Sequence, residues 1–375
     1  MDAAEALYVG LISGTSADGI DAVLVDFAQG QPRLHASHVE PWPEALRSRL
    51  LAVAQPGAAL DLDALGRLDV EAGEGFATAV LHLLQASGTS PDRVRAIGSH
   101  GQTLRHRPGG THPFSLQVGD PTVIAEHCGI DVVADFRRAD VAAGGQGAPL
   151  VPALHAMLFA DPPRTTVVLN LGGIANISVL RGSGEVLGFD TGPASCLLDA
   201  WCMAQRGEPF DRDGAFAASG QVDDTLLAEL LADPYFAAAA PKSTGREYFH
   251  LDWLRTHPRA SRVNAADMQA TLLELTARSV AQAIQQHAAR AARVLVCGGG
   301  VHNGALMRRL RELLQPAGVE STASAGLDPD YVEAVAFAWL ARQRLLGLPG
   351  NVPAVTGARG PRVLGAVYAA PPRRR

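Results

Sequence analysis

LYVGLISGTSADGIDAVLVD, residues Leu7–Asp26, is the stretch whose reading decides the fold. Leu7 to Ile12 is an apolar run of strand length, and Ile20 to Val25 reads as a second strand. Between them stand Gly14, Thr15, Ser16, Ala17, Asp18 and Gly19. The pattern predicts a strand pair joined by a turn rich in glycine, hydroxyls and acid, without a lysine. Glycine lets backbone N–H groups approach phosphate oxygens closely, hydroxyls add donors, and a carboxylate can hold hydrated Mg2+. An ordinary hairpin turn is the competing reading, because Asp-Gly is a strong turn dipeptide. Taken alone, the stretch leaves both open.

Working outward, TTVVLNLGGIANISVL at residues 165–180 repeats the design. A strand leads into Gly172, Gly173, Ile174, Ala175 and Asn176, and a second strand leaves. Two matching hairpins about half a chain apart predict two related halves, each pointing its turn at one phosphate chain. A third stretch, RVLVCGGGVHNGALMRRL at 293–310, predicts a strand to Cys297, a turn at Gly298, Gly299 and Gly300, and a helix capped by Asn303 that runs to about Leu314. It is not a dinucleotide fingerprint, since Asn303 occupies the third glycine position. No GxxxxGK[ST] occurs, which excludes a Walker-type phosphate loop.

Other residues carry chemistry less decisively. In GFDTGP, Gly188–Pro193, Asp190 reads either as a carboxylate reaching out from a glycine-flanked turn or as the N-cap of a helix from Ala194 to Arg206. In SHGQT, Ser99–Thr103, His100 stands in a polar loop at a strand end, where ligands bind in α/β proteins, although a lone histidine is more often structural. His100, His106 and His112 do not match a zinc spacing. Asp120 lies in Gly119-Asp120-Pro121. Arg137 and Arg138 suit a carboxylate or phosphate, or else a solvated ion-pair cluster. Ser279–Ala289 and Glu333–Leu345 have helical spacing, with Glu333 a first-turn acid or a substrate ligand. Lys242–Glu247 is a polar turn to which chemistry alone assigns no role.

Composition narrows the classes. The chain has 375 residues, of which 47% are hydrophobic, enough for two or so domains. A net charge of -6 disfavours a nucleic-acid partner. No apolar run reaches the ~18 residues of a membrane span, and the N-terminus lacks the basic region of a signal peptide. Cys128, Cys196, Cys202 and Cys297 form no CxxC pair, so small buried thiols in a reduced cytoplasm are expected. The arginine tail, Arg373–Arg375, is expected to be a solvated end.

Nine stretches in order make the chain resemble the anhydro-N-acetylmuramic acid kinase family along nearly its full length. They are SGTSADGID (Ser13–Asp21), SHGQT (Ser99–Thr103), QVGDP (Gln117–Pro121), DFRRADVAAGGQGAPLVP (Asp135–Pro152), LNLGGIANIS (Leu169–Ser178), GFDTGP (Gly188–Pro193), PKSTGREYF (Pro241–Phe249), CGGGVHN (Cys297–Asn303) and VEAVAFAWLA (Val332–Ala341). The resemblance implies an α/β chain of two ribonuclease-H-like domains, of the sugar kinase/Hsp70/actin type, around a central ATP cleft. The expected division is 1–135, rejoined by 350–375, and 136–349. ATP with Mg2+ is implied, and so is 1,6-anhydro-N-acetylmuramic acid as the small-molecule substrate, opened by water and phosphorylated at O6 in cell-wall recycling.

On that reading Asp190 is the catalytic base. Gly14, Thr15, Ser16, Ala17, Asp18, Gly19, Ile20 and Asp21 hold phosphates together with Gly172, Gly173 and Asn176, and Asp18 holds Mg2+ through water. Gly298, Gly299 and Gly300 lie against the adenosine, Asn303 also belongs to the ATP site, and His100, Asp120, Arg137, Arg138 and Glu333 hold the sugar. No membrane or nucleic-acid partner is expected, and a homodimer is left open. One departure stands out: Ala194-Ser195 follows GFDTGP where the family usually has Gly-Asn, which puts the geometry beside Asp190 in question. Two rival readings are an ordinary hexose or amino-sugar kinase of the same fold and a non-catalytic ATP-gated module.

Overall fold

The computed structural model describes residues 6–372 except Thr15, Pro56 and Pro241. Thr15 of the expected phosphate turn, the first five residues, Pro241 and the arginine tail therefore lie outside the described residues. The strands, in chain order, are β1 (Leu7–Ser13), β2 (Ile20–Asp26), β3 (Arg33–Glu40), β4 (Val94–Arg107), β5 (Phe114–Val118), β6 (Val132–Ala134), β7 (Thr165–Leu171), β8 (Ile174–Leu180), β9 (Val186–Pro193), β10 (Ala291–Cys297), β11 (Gly318–Ser321) and β12 (Ala366–Tyr368). Each predicted hairpin is present: β1 pairs antiparallel with β2, and β7 with β8.

The chain forms two compact units, one of residues up to Leu154 together with Tyr331 onward, the other His155–Asp330. The first unit's sheet runs β12-β6-β4-β1-β2-β3, with β5 beside β4, and the second's runs β11-β10-β7-β8-β9. In both, the second strand runs antiparallel to the first and the third to the second, and the fourth lies parallel to the first. The same strand order and directions occur twice, which is the ribonuclease-H-like pattern in duplicate. Each sheet has its own apolar core, around Leu11, Phe76 and Ile97 in the first unit and around Leu169, Leu272 and Val296 in the second.

The division differs from the expected one. Residues 136–154 and 331–349 belong to the first unit, not the second. Two glycines explain the second segment: a methyl at Gly10 of β1 would overlap the Ala334 carbonyl oxygen, and one at Gly98 of β4 the Phe337 carbonyl. Glycine thus lets the helix Val332–Leu346 lie directly on these strands. The earlier segment is tied in by the fully buried Asp140, whose Oδ1 accepts from Asn351 Nδ2 (2.6 Å) and Thr356 Oγ1 (2.8 Å). No helix among the described residues is long and apolar enough to cross a membrane, and Cys128, Cys196, Cys202 and Cys297 are all buried.

Candidate active site

In the second unit the site grows from one row across the sheet. Cys297 on β10 pairs with Asn170 on β7, Asn170 with Asn176 on β8, and Asn176 with Asp190 on β9. Residues paired in this way share a face, so Asn170, Asn176 and Asp190 make a polar row at one level. The register shifts between Ala175 and Asn176, and Thr191 is passed over, its hydroxyl donating to the Ala175 carbonyl at 3.2 Å. Bulges of this kind re-aim neighbouring side chains. Asp190 therefore lies within a strand and not on a turn. Nor is it an N-cap: the helix Ser195–Arg206 starts after Ala194 with no side-chain cap.

Asp190 is gripped by the segment that sequence left without a role. Its N–H donates to the Lys242 carbonyl (3.0 Å), and its Oδ2 accepts from the Thr244 N–H (3.0 Å). Tyr235 Oη donates to its carbonyl (2.7 Å), and Lys242 Nζ donates to the Tyr235 and Phe236 carbonyls. Burial pushes the Asp190 carboxyl up to about 6; the Thr244 N–H opposes this and the Glu247 charge adds to it. A carboxylate tuned toward neutrality, with one face held by the backbone, suits a general base.

The glycine turn beside it is ordered from behind. The Gly173 carbonyl accepts from the Ala194 and Cys196 N–H groups (3.0 Å each), and the Gly172 carbonyl from Ser195 (3.1 Å). These bonds occupy the first N–H groups of the helix, so an anion at the turn must rely on the turn's own donors. The Arg246 guanidinium overhangs Gly173, its Nε only 3.1 Å from where a methyl would stand, and brings positive charge that the sequence reading missed. Ala194 holds φ at -123°, so the departure from glycine there carries no positive-φ cost.

Gly298 does need to be glycine: its φ is 81°, and a methyl would overlap Asn170 Oδ1. Its N–H donates to Pro329 (2.9 Å). Gly299 borders open space. Asn303 caps the helix Gly304–Leu313 through the Leu306 N–H (3.0 Å), as expected.

In the first unit, the turn after β1 is buttressed by a residue the sequence reading missed. Arg47 Nε donates to the Ala17 carbonyl (2.9 Å), and Nη2 meets Asp18 Oδ1 at 3.1 Å. Asp18 is 74% exposed. Ala17 is buried at a φ of 47°, and its N–H donates to Gly14 (3.0 Å), whose carbonyl also accepts from Gln102 Nε2 (3.1 Å). Gly19 packs on the Glu40 carbonyl, Ile20 pairs with Glu40, and Asp21 pairs with Ile12 and Val39.

Three of the expected sugar ligands come together. His100 lies within β4, not in a loop, and is buried. Arg137 donates to its Nε2 through Nε (3.1 Å) and Nη2 (2.8 Å). A guanidinium only donates, so Nε2 accepts and the ring proton sits on Nδ1, facing the Gly101 carbonyl at 2.9 Å. Burial and the Arg137 charge keep this imidazole neutral, well below its ordinary pKa. Arg137 Nη1 donates to the Gly147 carbonyl (2.7 Å), and Gly147 N–H donates to Asp140 Oδ2 (2.7 Å). Burial lowers Arg137 to about 10, with the Glu333 charge opposing. Glu333 itself is solvent-accessible on the first turn of its helix; the surrounding protein raises its carboxyl and Arg137 counteracts.

The other two are occupied differently. Arg138 is an exposed partner of Asp135 (3.4 Å), and Asp120 caps the helix Pro121–Cys128 through the Thr122 N–H (2.7 Å). Neither is hydrogen-bonded to His100 or Arg137 among the described residues.

A family model described as anhydro-N-acetylmuramic acid kinase matches residues 6–370. The anhydro-N-acetylmuramic acid kinase of Xanthomonas oryzae pv. oryzae is 56% identical over 367 residues, covering 97% of each chain. The protein of the same name from Cupriavidus pinatubonensis is 54% identical, covering 96% of this chain and 98% of its own. That of Shewanella amazonensis is 52% identical, covering 98% and 99%. With the duplicated sheets, the clamped aspartate and matches that run almost end to end, the chain belongs to the anhydro-N-acetylmuramic acid kinase family.

Proposed function

We propose that the protein uses ATP and water to convert 1,6-anhydro-N-acetylmuramic acid into N-acetylmuramic acid 6-phosphate and ADP, in the cytoplasm, as a step of cell-wall recycling and amino sugar metabolism. The observation that carries this reading is Asp190, a half-buried carboxylate pushed up to about 6 and held by the Thr244 N–H. In the anhydro sugar O6 is tied to C1 and carries no proton. Water bonds to C1, the C1–O6 bond breaks, and its electron pair forms the O6–phosphorus bond as ADP departs. One proton of the water remains in the new C1 hydroxyl and the other passes to Asp190. The leaving oxygen is captured by phosphorus, so no acid need protonate it, and one carboxylate replaces the pair found in glycosidases. General-base help is worth ~10²–10⁴ in rate.

The remaining groups position the reactants, which is most of what phosphoryl transfer requires. Gly14 and Gly172 face space that a methyl would enter with no protein atom nearer than 3.8 and 3.6 Å, which suits turns that cradle phosphates. Gly298–Gly300 is assigned to the adenosine. Asp18 already faces the Arg47 guanidinium, which makes it a poor direct ligand for Mg2+. The ion is taken to arrive on the ATP phosphates with most of its waters. Arg137 is assigned to the lactyl carboxylate, because three of its contacts fix its fork in place whereas Arg138 is a surface pair. His100, neutral and bonded at both nitrogens, positions Arg137 and does not transfer protons. Glu333 is assigned to the sugar.

Coupled measurement of ADP release tests the whole reading. Release should require the anhydro sugar. Equal release without sugar would favour an ATP-gated module, and efficient turnover of free N-acetylmuramic acid an ordinary sugar kinase.

A further inference from the structure

We propose that His38, Glu40 and His82, in the first unit, form a binding site for one divalent transition-metal ion of the Zn2+ class, separate from any Mg2+ that accompanies ATP. Glu40 Oε2 lies 2.8 Å from His38 Nε2 and 2.6 Å from His82 Nδ1. The three ligand atoms fall within 4.8 Å of one another. The site forms because β3 alternates: Leu34, Ala36, His38 and Glu40 face one way, while the residues between them are exposed. That face packs against the helix Leu62–Ser87, and His82 descends from its penultimate turn.

Two imidazoles and a carboxylate are a known Zn2+ ligand set, which leaves a fourth position for water. Imidazole suits Zn2+, Co2+, Ni2+ and Cu2+, whereas Mg2+ takes oxygen ligands. Zn–N and Zn–O bonds of about 2.0–2.2 Å set tetrahedral ligand atoms about 3.4 Å apart. The two separations from Glu40 Oε2 fall short of that by under about 1 Å, and the third is no more than 4.8 Å. Without an ion, Glu40 accepts hydrogen bonds from both rings, and this arrangement holds its carboxyl below the usual range although burial opposes it. An ion would take the place of those two hydrogen bonds, the single proton of each neutral ring shifting from the ligating nitrogen (His38 Nε2, His82 Nδ1) to the other one. The side chain of His82 is 50% exposed, which gives the ion an entry path and water its place.

The site has a structural consequence. Among the described residues β3 is an edge strand that pairs only with β2. A ligand set drawn from β3 and from the helix would cross-link them. Glu40 is also the register partner of Ile20, and its carbonyl packs on Gly19, so the cross-link lies directly behind the exit of the turn assigned to phosphate.

The test uses the full chain without a polyhistidine tag, stripped with EDTA and dialysed. Zn2+ titrated by calorimetry should saturate near one equivalent and raise the thermal midpoint. Co2+ should give the visible absorption of a tetrahedral nitrogen–oxygen site. His82→Ala and Glu40→Gln should each weaken Zn2+ binding at least about tenfold and remove the thermal shift. His127→Ala, at an exposed histidine elsewhere in the unit, should change neither. Circular dichroism confirms folding, and His82→Asn substitutes if the alanine variant fails. Absence of saturable Zn2+ binding by the wild type would overturn the proposal, as would binding that survives both ligand substitutions.

Discussion

Replacing Asp190 by asparagine should make the protein more stable and nearly inactive, with the gain in stability present only where the aspartate is ionised. The carboxyl titrates at about 6 in the folded chain, against about 3.9 for an unperturbed aspartate. The folded state therefore holds this proton more tightly than the unfolded state. Stability falls as pH rises from about 4 to about 6, and the loss is complete above that. The difference corresponds to about 3 kcal/mol at pH 8 and about 1 kcal/mol at pH 4.5. Asp190 keeps some solvent contact, and screening reduces the larger figure to about 2 kcal/mol. Asparagine preserves a carbonyl oxygen for the Thr244 N–H and does not ionise.

Denaturant unfolding of both proteins at the two pH values should show the variant ahead by about 2 kcal/mol at pH 8 and, with the same screening, by about 0.6 kcal/mol at pH 4.5. In steady-state assays kcat should drop by ~10² or more with ATP binding largely kept. A variant equally displaced at both pH values, or less stable at pH 8, would refute the assigned titration. Near-normal kcat would refute the assigned role.

For the wild type, kcat should decline as pH falls through about 6, because the base must be ionised; a pH profile of kcat in the asparagine variant should lack that limb. Arg137→Ala should raise KM more for the anhydromuramic sugar than for an anhydro sugar lacking the lactyl group, and it should destabilise the unit by removing three hydrogen bonds. Arg138→Ala, at a surface pair, should stay within about 0.5 kcal/mol of wild type in unfolding measurements. Gly298→Ala should lose at least about 1–3 kcal/mol of stability through its positive φ and its overlap with Asn170, while Gly299→Ala, beside open space, should fold normally and reveal any adenosine role through KM for ATP alone. Brief reaction in ¹⁸O-labelled water should place label on C1 and none in the phosphate, with the α anomer appearing first by rapid NMR; label in the phosphate would mean separate ATP hydrolysis, and a β anomer first would recast Asp190 as a nucleophile.

A short contiguous segment encodes its own periodicity, turns and caps, and those features were legible before folding. Apolar runs placed β1, β2, β7, β8 and β10, and the glycine turns between them announced two related halves. Asn303 announced its helix, because a cap bonds to a residue three positions on. Asp190 could be singled out, but its local surroundings suit a turn or a cap as well as a strand, and only the β8–β9 pairing decides between them.

What remained depends on distant segments that folding brings together. Thr244 reaches Asp190 across 54 residues, Arg47 reaches Asp18 across 29, and Arg137 reaches His100 across 37. Asn351 and Thr356 hold Asp140 across 211 and 216, which is why the unit boundary fell elsewhere than the motifs suggested. The His38–Glu40–His82 cluster was equally hidden, since its third ligand lies 42 residues beyond the second. Periodicity and turn chemistry are local properties of the backbone. A carboxylate's pKa, a guanidinium's direction and a ligand set are properties of whichever side chains the packed sheets bring within a few ångströms.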